Sequence, residues 1–169
     1  MVAADAGRGR CVTCIVLLDT SVYLNVLDVP GFNQDRDLVL DDFERRLAAR
    51  DHFLLPMAAI WETGNHIAHL ANGGRRYKFG VKLVADVRKA MAGEVPYRPT
   101  HFPDREEFLA WLADFPSYVQ RNKSATKTGE GISLADLSLV KEWERTRRLN
   151  SMSRVLIWSL DSDLACYDS

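Results

Sequence analysis

Three short apolar runs, separated by longer amphipathic stretches, constrain the fold of this chain more than any other feature of its sequence. The runs cover residues 11–18, 53–55 and 155–160. Each is nearly continuous in hydrophobicity, which is typical of strands that are covered on both faces of a sheet. Because these strands alternate with helical patterns, the sequence predicts an α/β domain with a mainly parallel sheet.

The stretches between the runs predict six helices, at residues 22–27, 37–50, 57–70, 75–91, 104–115 and 134–148. In the fourth, apolar spacing predicts that Tyr77, Val81, Val84 and Val87 face the core. Residues 93–103 contain three prolines and are expected to form a loop, and Pro116 is expected to end or kink the fifth helix.

The chain length of 169 residues fits one domain. Residues 1–10 are small and polar, so we expect a flexible tail there, followed by a single domain at 11–169 with a helical and loop insertion at about 92–131.

The net charge of -1 excludes a globally basic nucleic-acid binder but leaves a local basic face open. No apolar run approaches the roughly 18 residues that cross a bilayer, so no membrane partner is expected. Three cysteines are too few for a disulfide framework, which favours the cytoplasm.

Four acidic residues occupy comparable places in separate segments. Asp19 follows the first apolar run and Asp161 follows the last, so both are expected at the carboxyl edge of a parallel sheet, where open α/β folds bind ligands. Glu62 lies about two turns into the helix after the second run, and Asp136 lies in the first turn of the 134–148 helix. Each also has a structural interpretation: a helix cap for Asp19, a capping box with Ser133 for Asp136, a solvated helix position for Glu62 and a turn for Asp161.

These acids adjoin apolar segments that contain no lysine or arginine. Carboxylates that are partly desolvated need a positive partner, and a divalent cation is one that the sequence leaves available. Ligation by oxygen alone favours a hard ion such as magnesium or manganese over zinc. Glu62, His66 and His69 lie near one helix face and could form a zinc site, but they lack the HExxH order.

Around these acids the sequence resembles the PIN-domain family of metal-dependent ribonucleases, which includes the toxins of VapBC-type toxin–antitoxin pairs. The similar segments are residues 17–22 (Leu-Leu-Asp-Thr-Ser-Val), 54–56 (Leu-Leu-Pro), 61–65 (Trp-Glu-Thr-Gly-Asn), 132–136 (Ile-Ser-Leu-Ala-Asp) and 159–164 (Ser-Leu-Asp-Ser-Asp-Leu). Their order and approximate spacing agree with the family over about residues 12–166. The resemblance implies a PIN-like three-layer α/β/α sandwich with a short central sheet.

The resemblance also implies a function. Asp19, Glu62 and Asp136 would hold one Mg²⁺ or Mn²⁺ ion, with Asp161 completing the site or helping to hold a second ion, and with Asp163 as the alternative to Asp161. Polar contacts around the acids would come from Thr20, Ser21, Asn65 and Ser159. The activity would be hydrolysis of RNA phosphodiester bonds, in a toxin with a cognate antitoxin and a possible homodimer. A non-catalytic PIN-like module that binds RNA or protein is the alternative, and an aspartate-nucleophile phosphotransfer domain is disfavoured because Ser21 stands where its second aspartate is needed.

Contacts to RNA are predicted from basic residues outside the acidic motifs. Arg75, Lys78, Lys82 and Lys89 share one side of a predicted helix, with Arg76 beside them, and such a stripe could follow a phosphate backbone. Lys123, with Arg121 and Lys127, precedes Asp136 in a polar loop and could reach the substrate. A solvated polar helix face is the alternative interpretation of the stripe. Tyr77 and Tyr118 could stack on bases or pack in the core.

Overall fold

The structure, a computed structural model, describes residues 13–123, 129–161, 164 and 167. The tail at 1–10, Lys127 and Asp163 therefore lie outside the described residues. Within the described part, the chain forms four strands: β1 (Cys14–Leu18), β2 (His52–Leu55), β3 (Tyr97–Pro99) and β4 (Arg154–Trp158). They form one sheet in the order β3-β2-β1-β4, and every neighbouring pair is parallel.

Six helices connect or flank these strands in the described part of the chain. They are α1 (Thr20–Val26), α2 (Arg36–Ala48), α3 (Met57–Ala68), α4 (Gly73–Ala92), α5 (Arg105–Val119) and α6 (Leu134–Leu149). All six predicted helices are present, with ends that differ by a few residues. Pro116 lies inside α5 rather than at its end.

Side chains of the sheet alternate between two cores. On β1, Val16 and Leu18 belong to the larger core, which the first four helices cover, whereas Leu17 faces the smaller core with Leu139 of α6. The same alternation on β4 follows from the two-residue period of a strand. The sheet is therefore covered on both faces, as the apolar runs predicted, and α5 packs on the outside of α6.

Two predictions from the sequence are wrong, one about residues 93–103 and one about α4. Residues 93–103 are not only a loop, because Tyr97–Pro99 pairs with Phe53–Leu55 as an edge strand. The strand has only three residues and contains proline, which an edge position tolerates, so no run of apolar residues marked it in the sequence. The described part of the stretch at 92–131 thus contributes one strand and one helix to the fold.

The predicted inward face of α4 is the second error. Tyr77, Val81 and Val84 are 78%, 53% and 51% exposed. Instead, Phe79 and Ala90 are buried, and Leu83 packs against the larger core. The helix carries apolar residues on two faces, so hydrophobic spacing alone does not identify the buried one.

No helix in the described segments combines the length and the apolar character needed to cross a membrane.

Candidate active site

The parallel sheet brings the four acids to one edge of the domain. Asp19 directly follows β1, and its amide donates to the carbonyl of Trp158 at the end of β4 (3.0 Å). Glu62 lies in the second turn of α3, and Asp136 lies in the first turn of α6. Asp161 is three residues beyond β4 rather than directly after it, and it is exposed.

A cavity of about 580 Å³ is lined by Asp19, Glu62, Asp136 and Asp161 together. Four segments that are far apart in sequence therefore supply carboxylates to the same space. The cavity is also lined by polar and aromatic side chains, among them Asp35, His66, Tyr118 and Lys123.

Hydroxyl groups fix the first two carboxylates. Oδ2 of Asp19 accepts hydrogen bonds from Ser21 Oγ (2.7 Å) and Ser159 Oγ (2.8 Å). Oε2 of Glu62 accepts one from Thr20 Oγ1 (2.7 Å). The two serine hydroxyls in turn accept from the amides of Leu160 (3.0 Å) and Asp161 (3.0 Å). The segment after β4 is thereby tied to the end of β1.

Asp136 has a capping role as well as its place in the cavity. Its Oδ2 accepts from the hydroxyl of Ser133 (2.8 Å), and the Ser133 Oγ accepts from the Asp136 amide (3.0 Å). Asp19 similarly is the N-cap of α1 and accepts from the Ser21 amide (3.4 Å). The capping interpretation is confirmed at both residues, and it does not exclude the functional one, because a carboxylate has lone pairs for more than one partner.

The electrostatics of the cavity are most evident at Glu62. Burial raises the pKa of its carboxyl, and the negative charges of Asp136 and Asp19 raise it further. The Thr20 hydroxyl and the Lys123 ammonium act in the opposite direction. Glu62 is thus close enough to Asp136 and Asp19 to be repelled by both, and a further positive charge beside it would relieve that repulsion.

The donor set fits a hard divalent cation in its chemistry. The four acids and the neighbouring hydroxyls supply oxygen ligands, which Mg²⁺ and Mn²⁺ prefer. As the side chains stand, however, no three His, Cys, Asp or Glu groups among the described residues are arranged to hold an ion. The ammonium of Lys123 lies 3.2 Å from Oδ2 of Asp136.

Several predicted site residues lie elsewhere. Asn65 is exposed on α3 and does not line the cavity. The five basic residues of α4 that were predicted to contact RNA are exposed and also lie outside the cavity: Arg75, Arg76, Lys78, Lys82 and Lys89. The guanidinium of Arg76 donates to the carbonyl of Leu70 (2.6 Å), near the end of α3. Tyr77 lies on the exposed face of α4, whereas Tyr118 lines the cavity with Arg121 over its ring (4.7 Å).

Sequence reasoning missed two features of the cavity. The sequence indicated Lys123 as a possible substrate contact, but it gave no sign that this lysine pairs with Asp136, because the pairing depends on the tertiary structure. It also did not place Phe32, whose ring packs against that of His66 (4.5 Å) on the cavity wall. The position of His66, one helical turn after Glu62, was the available indication for that residue.

Comparison with solved structures supports the architecture. The crystal structure of FitAcB from Neisseria gonorrhoeae matches with a TM-score of 0.50 and 22% sequence identity, covering 90% of this chain and 93% of that one. The fold is PIN-like. The structure of FitAB bound to an IR36 DNA fragment matches with a TM-score of 0.46 and 21% identity, covering 86% of this chain and 97% of that one. No protein-family model matches the sequence, and no curated protein is significantly similar to it.

Proposed function

We propose that this protein is a Mg²⁺- or Mn²⁺-dependent endoribonuclease and the toxin of a toxin–antitoxin pair. The observation that carries the proposal is the convergence of Asp19, Glu62, Asp136 and Asp161 on one cavity at the carboxyl edge of the sheet. The PIN-like fold and the resemblance of the acidic motifs to the PIN-domain ribonucleases support it.

In this proposal Asp19, Glu62 and Asp136 hold the metal ion, and Asp161 completes its surroundings. When bound, the ion supplies the Lewis acidity that phosphodiester hydrolysis needs at neutral pH. The residues of the chain prepare the ligands: Ser21 and Ser159 fix the carboxylate of Asp19 by hydrogen bonds. Thr20 holds Glu62 and favours its ionised form, which is the form that binds a cation.

The cavity also offers a place for the nucleic acid. Lys123, Tyr118 and the Phe32–His66 pair line it beside the acids. A cationic group suits a phosphate, and aromatic faces suit unpaired bases. These residues therefore favour a single-stranded RNA substrate. In this proposal the RNA binds at the cavity rather than along the exposed basic stripe on α4 that the sequence suggested. Binding through a few local cations should weaken as salt concentration rises.

Cleavage of RNA by the purified protein tests the enzymatic part. We expect cleavage with Mg²⁺ or Mn²⁺, none with EDTA, and loss of cleavage in Asp19→Asn. Asp41→Asn, which removes an exposed carboxylate on α2, is the matched control and should cleave as the wild type does. Full activity in Asp19→Asn would contradict the proposed site.

The biological role needs a separate test, since a cognate antitoxin and a homodimer are implied only by the family resemblance. Expression of the wild type is expected to arrest the growth of the host cells, and expression of Asp19→Asn in its place is expected not to. Co-expression with the product of a neighbouring small gene should relieve the arrest, and the two proteins should purify together. Arrest that is unchanged in Asp19→Asn would separate toxicity from the carboxylate pocket.

A non-catalytic PIN-like module that binds RNA or protein is the second candidate. The Lys123–Asp136 ion pair favours it, because a lysine already neutralises one of the acids (3.2 Å). Calorimetric titration with Mn²⁺ distinguishes the two functions. The nuclease should take up Mn²⁺ specifically and lose this uptake in Asp19→Asn, whereas the non-catalytic module should bind none.

A further inference from the structure

Lys123 brings a positive charge into the carboxylate cavity from a segment that lies between α5 and α6. Its Nζ lies 3.2 Å from Oδ2 of Asp136, and both side chains are largely shielded from solvent, with 26% and 19% of their surfaces exposed. Ion pairs of this partly buried kind are screened less by salt than exposed pairs. The contact is therefore part of the electrostatics of the cavity.

The backbone around Lys123 is fixed by local contacts. Asn122 and Gly131 form an antiparallel bridge, and the Lys123 amide donates to the carbonyl of Glu130 (2.7 Å). Gly131 lies so close to α5 that an added Cβ would be 2.1 Å from the carbonyl oxygen of Val119. Only glycine allows this approach, which holds Lys123 near the start of α6.

The charge of Lys123 acts on more than one carboxylate. Besides pairing with Asp136, it lowers the pKa of Glu62, against the effects of burial and of the two neighbouring aspartates. A single ammonium thus partly offsets the mutual repulsion of the acids. A bound divalent cation would have the same effect on the same groups.

We propose that the Lys123 ammonium is a resident counter-cation of the carboxylate cavity, which a divalent ion must displace from Asp136 in order to bind. This inference rests on the proposed function, since it takes the cavity to be a site for a divalent ion. An ammonium and a divalent ion repel each other, so both cannot remain against the same carboxylate oxygen at low cost. Lys123 therefore lowers the affinity of the site for metal and stabilises the metal-free protein.

Calorimetric titration of Mn²⁺ into the full chain tests this. Lys123→Met should bind Mn²⁺ about tenfold more tightly than the wild type, as expected for loss of a competing partly buried ion pair. Lys89→Met removes an exposed lysine of α4 and is the matched control, with wild-type affinity expected. Thermal unfolding in EDTA gives a second measurement. Lys123→Met should unfold at a lower temperature than the wild type and Lys89→Met. Saturating Mn²⁺ should abolish this difference in unfolding temperature.

The outcomes separate this inference from the function on which it rests. Equal or weaker Mn²⁺ binding by Lys123→Met would overturn the role of the lysine and leave the metal site standing. An equal gain in Lys89→Met would also overturn it, because the effect would then come from net charge. Absence of Mn²⁺ binding to wild type and variant alike would overturn both the inference and the metal-dependent function.

Discussion

The hydroxyl of Ser159 donates to Oδ2 of Asp19 at 2.8 Å, although 140 residues separate the two in sequence. The bond joins the ends of β4 and β1, which are adjacent parallel strands. Ser21 donates to the same carboxylate oxygen. The orientation of Asp19 is therefore set before any ligand arrives, and the geometry of the cavity depends on residues that are not themselves acids.

Removal of the Ser159 hydroxyl is expected to weaken the proposed site without unfolding the protein. Loss of a residue that orients a metal ligand costs about 10- to 100-fold in affinity or activity, so Ser159→Ala should reduce Mn²⁺ affinity and RNA cleavage to that extent. Ser151→Ala, in an exposed turn, is the control. Identical Mn²⁺ affinities in the two variants would show that Ser159 does not position Asp19.

Thr20 is expected to control the ionisation of Glu62. Because the Thr20 hydroxyl lowers the pKa of this carboxyl, Thr20→Val should raise that pKa, and Glu62 should stay protonated to a higher pH. Titration of the Glu62 side chain by NMR in metal-free protein measures the change. Thr20→Ser keeps the hydroxyl and should titrate close to the wild type. A pKa that Thr20→Val leaves unchanged would argue against the hydrogen bond.

Glu142 makes the stability of the protein depend on pH. Its side chain on α6 is fully buried, and this burial raises its pKa from 4.5 to about 7. The Thr100 hydroxyl, the Arg145 charge and the Met57 amide moderate the rise, but among the described residues neither carboxylate oxygen has a partner in hydrogen-bond geometry. The folded state therefore binds this proton more tightly than the unfolded state does.

Stability is greatest below pH 4.5 as far as Glu142 is concerned, and it falls as the pH rises to about 7, by on the order of 3 kcal/mol. Glu142→Gln should remove this loss, so that it unfolds at higher urea concentration than the wild type at pH 8 and at a similar concentration at pH 4.5. Glu44→Gln, an exposed acid of α2, should follow the wild type at both pH values. A wild type that gained stability over this range would contradict the assignment.

A second buried polar cluster should matter for stability but not for the proposed catalysis. Asp86 of α4 accepts hydrogen bonds from the hydroxyls of Tyr23 (2.7 Å) and Tyr97 (2.8 Å), both of which are buried. Asp86→Ala would leave two phenols unpaired and should cost about 2–4 kcal/mol in the free energy of unfolding. Asp41→Ala, at an exposed position, should cost far less. RNA cleavage per folded molecule should not change in Asp86→Ala, because none of these three residues lines the carboxylate cavity.

The α/β class and the mainly parallel sheet followed from the sequence because both depend on local patterns. The apolar runs at β1, β2 and β4 needed only their own residues to be recognised, and the helices needed only the spacing of theirs. The edge strand β3 was missed because its three residues are extended by pairing with β2, which is a partner distant in sequence. The exposed face of α4 was misassigned for the same reason, since the neighbours of the helix decide which apolar face is buried.

In the candidate site, too, some features depend on local sequence and others on contacts between distant segments. The type of chemistry was predictable from the sequence, because Asp19, Glu62, Asp136 and Asp161 are oxygen ligands placed near the ends of predicted strands or the starts of helices. The contacts of these acids could not be predicted in this way. That Ser159 reaches Asp19 and Lys123 reaches Asp136 depends on distances through space between segments, and electrostatic and hydrogen-bond energies follow those distances rather than separation along the chain.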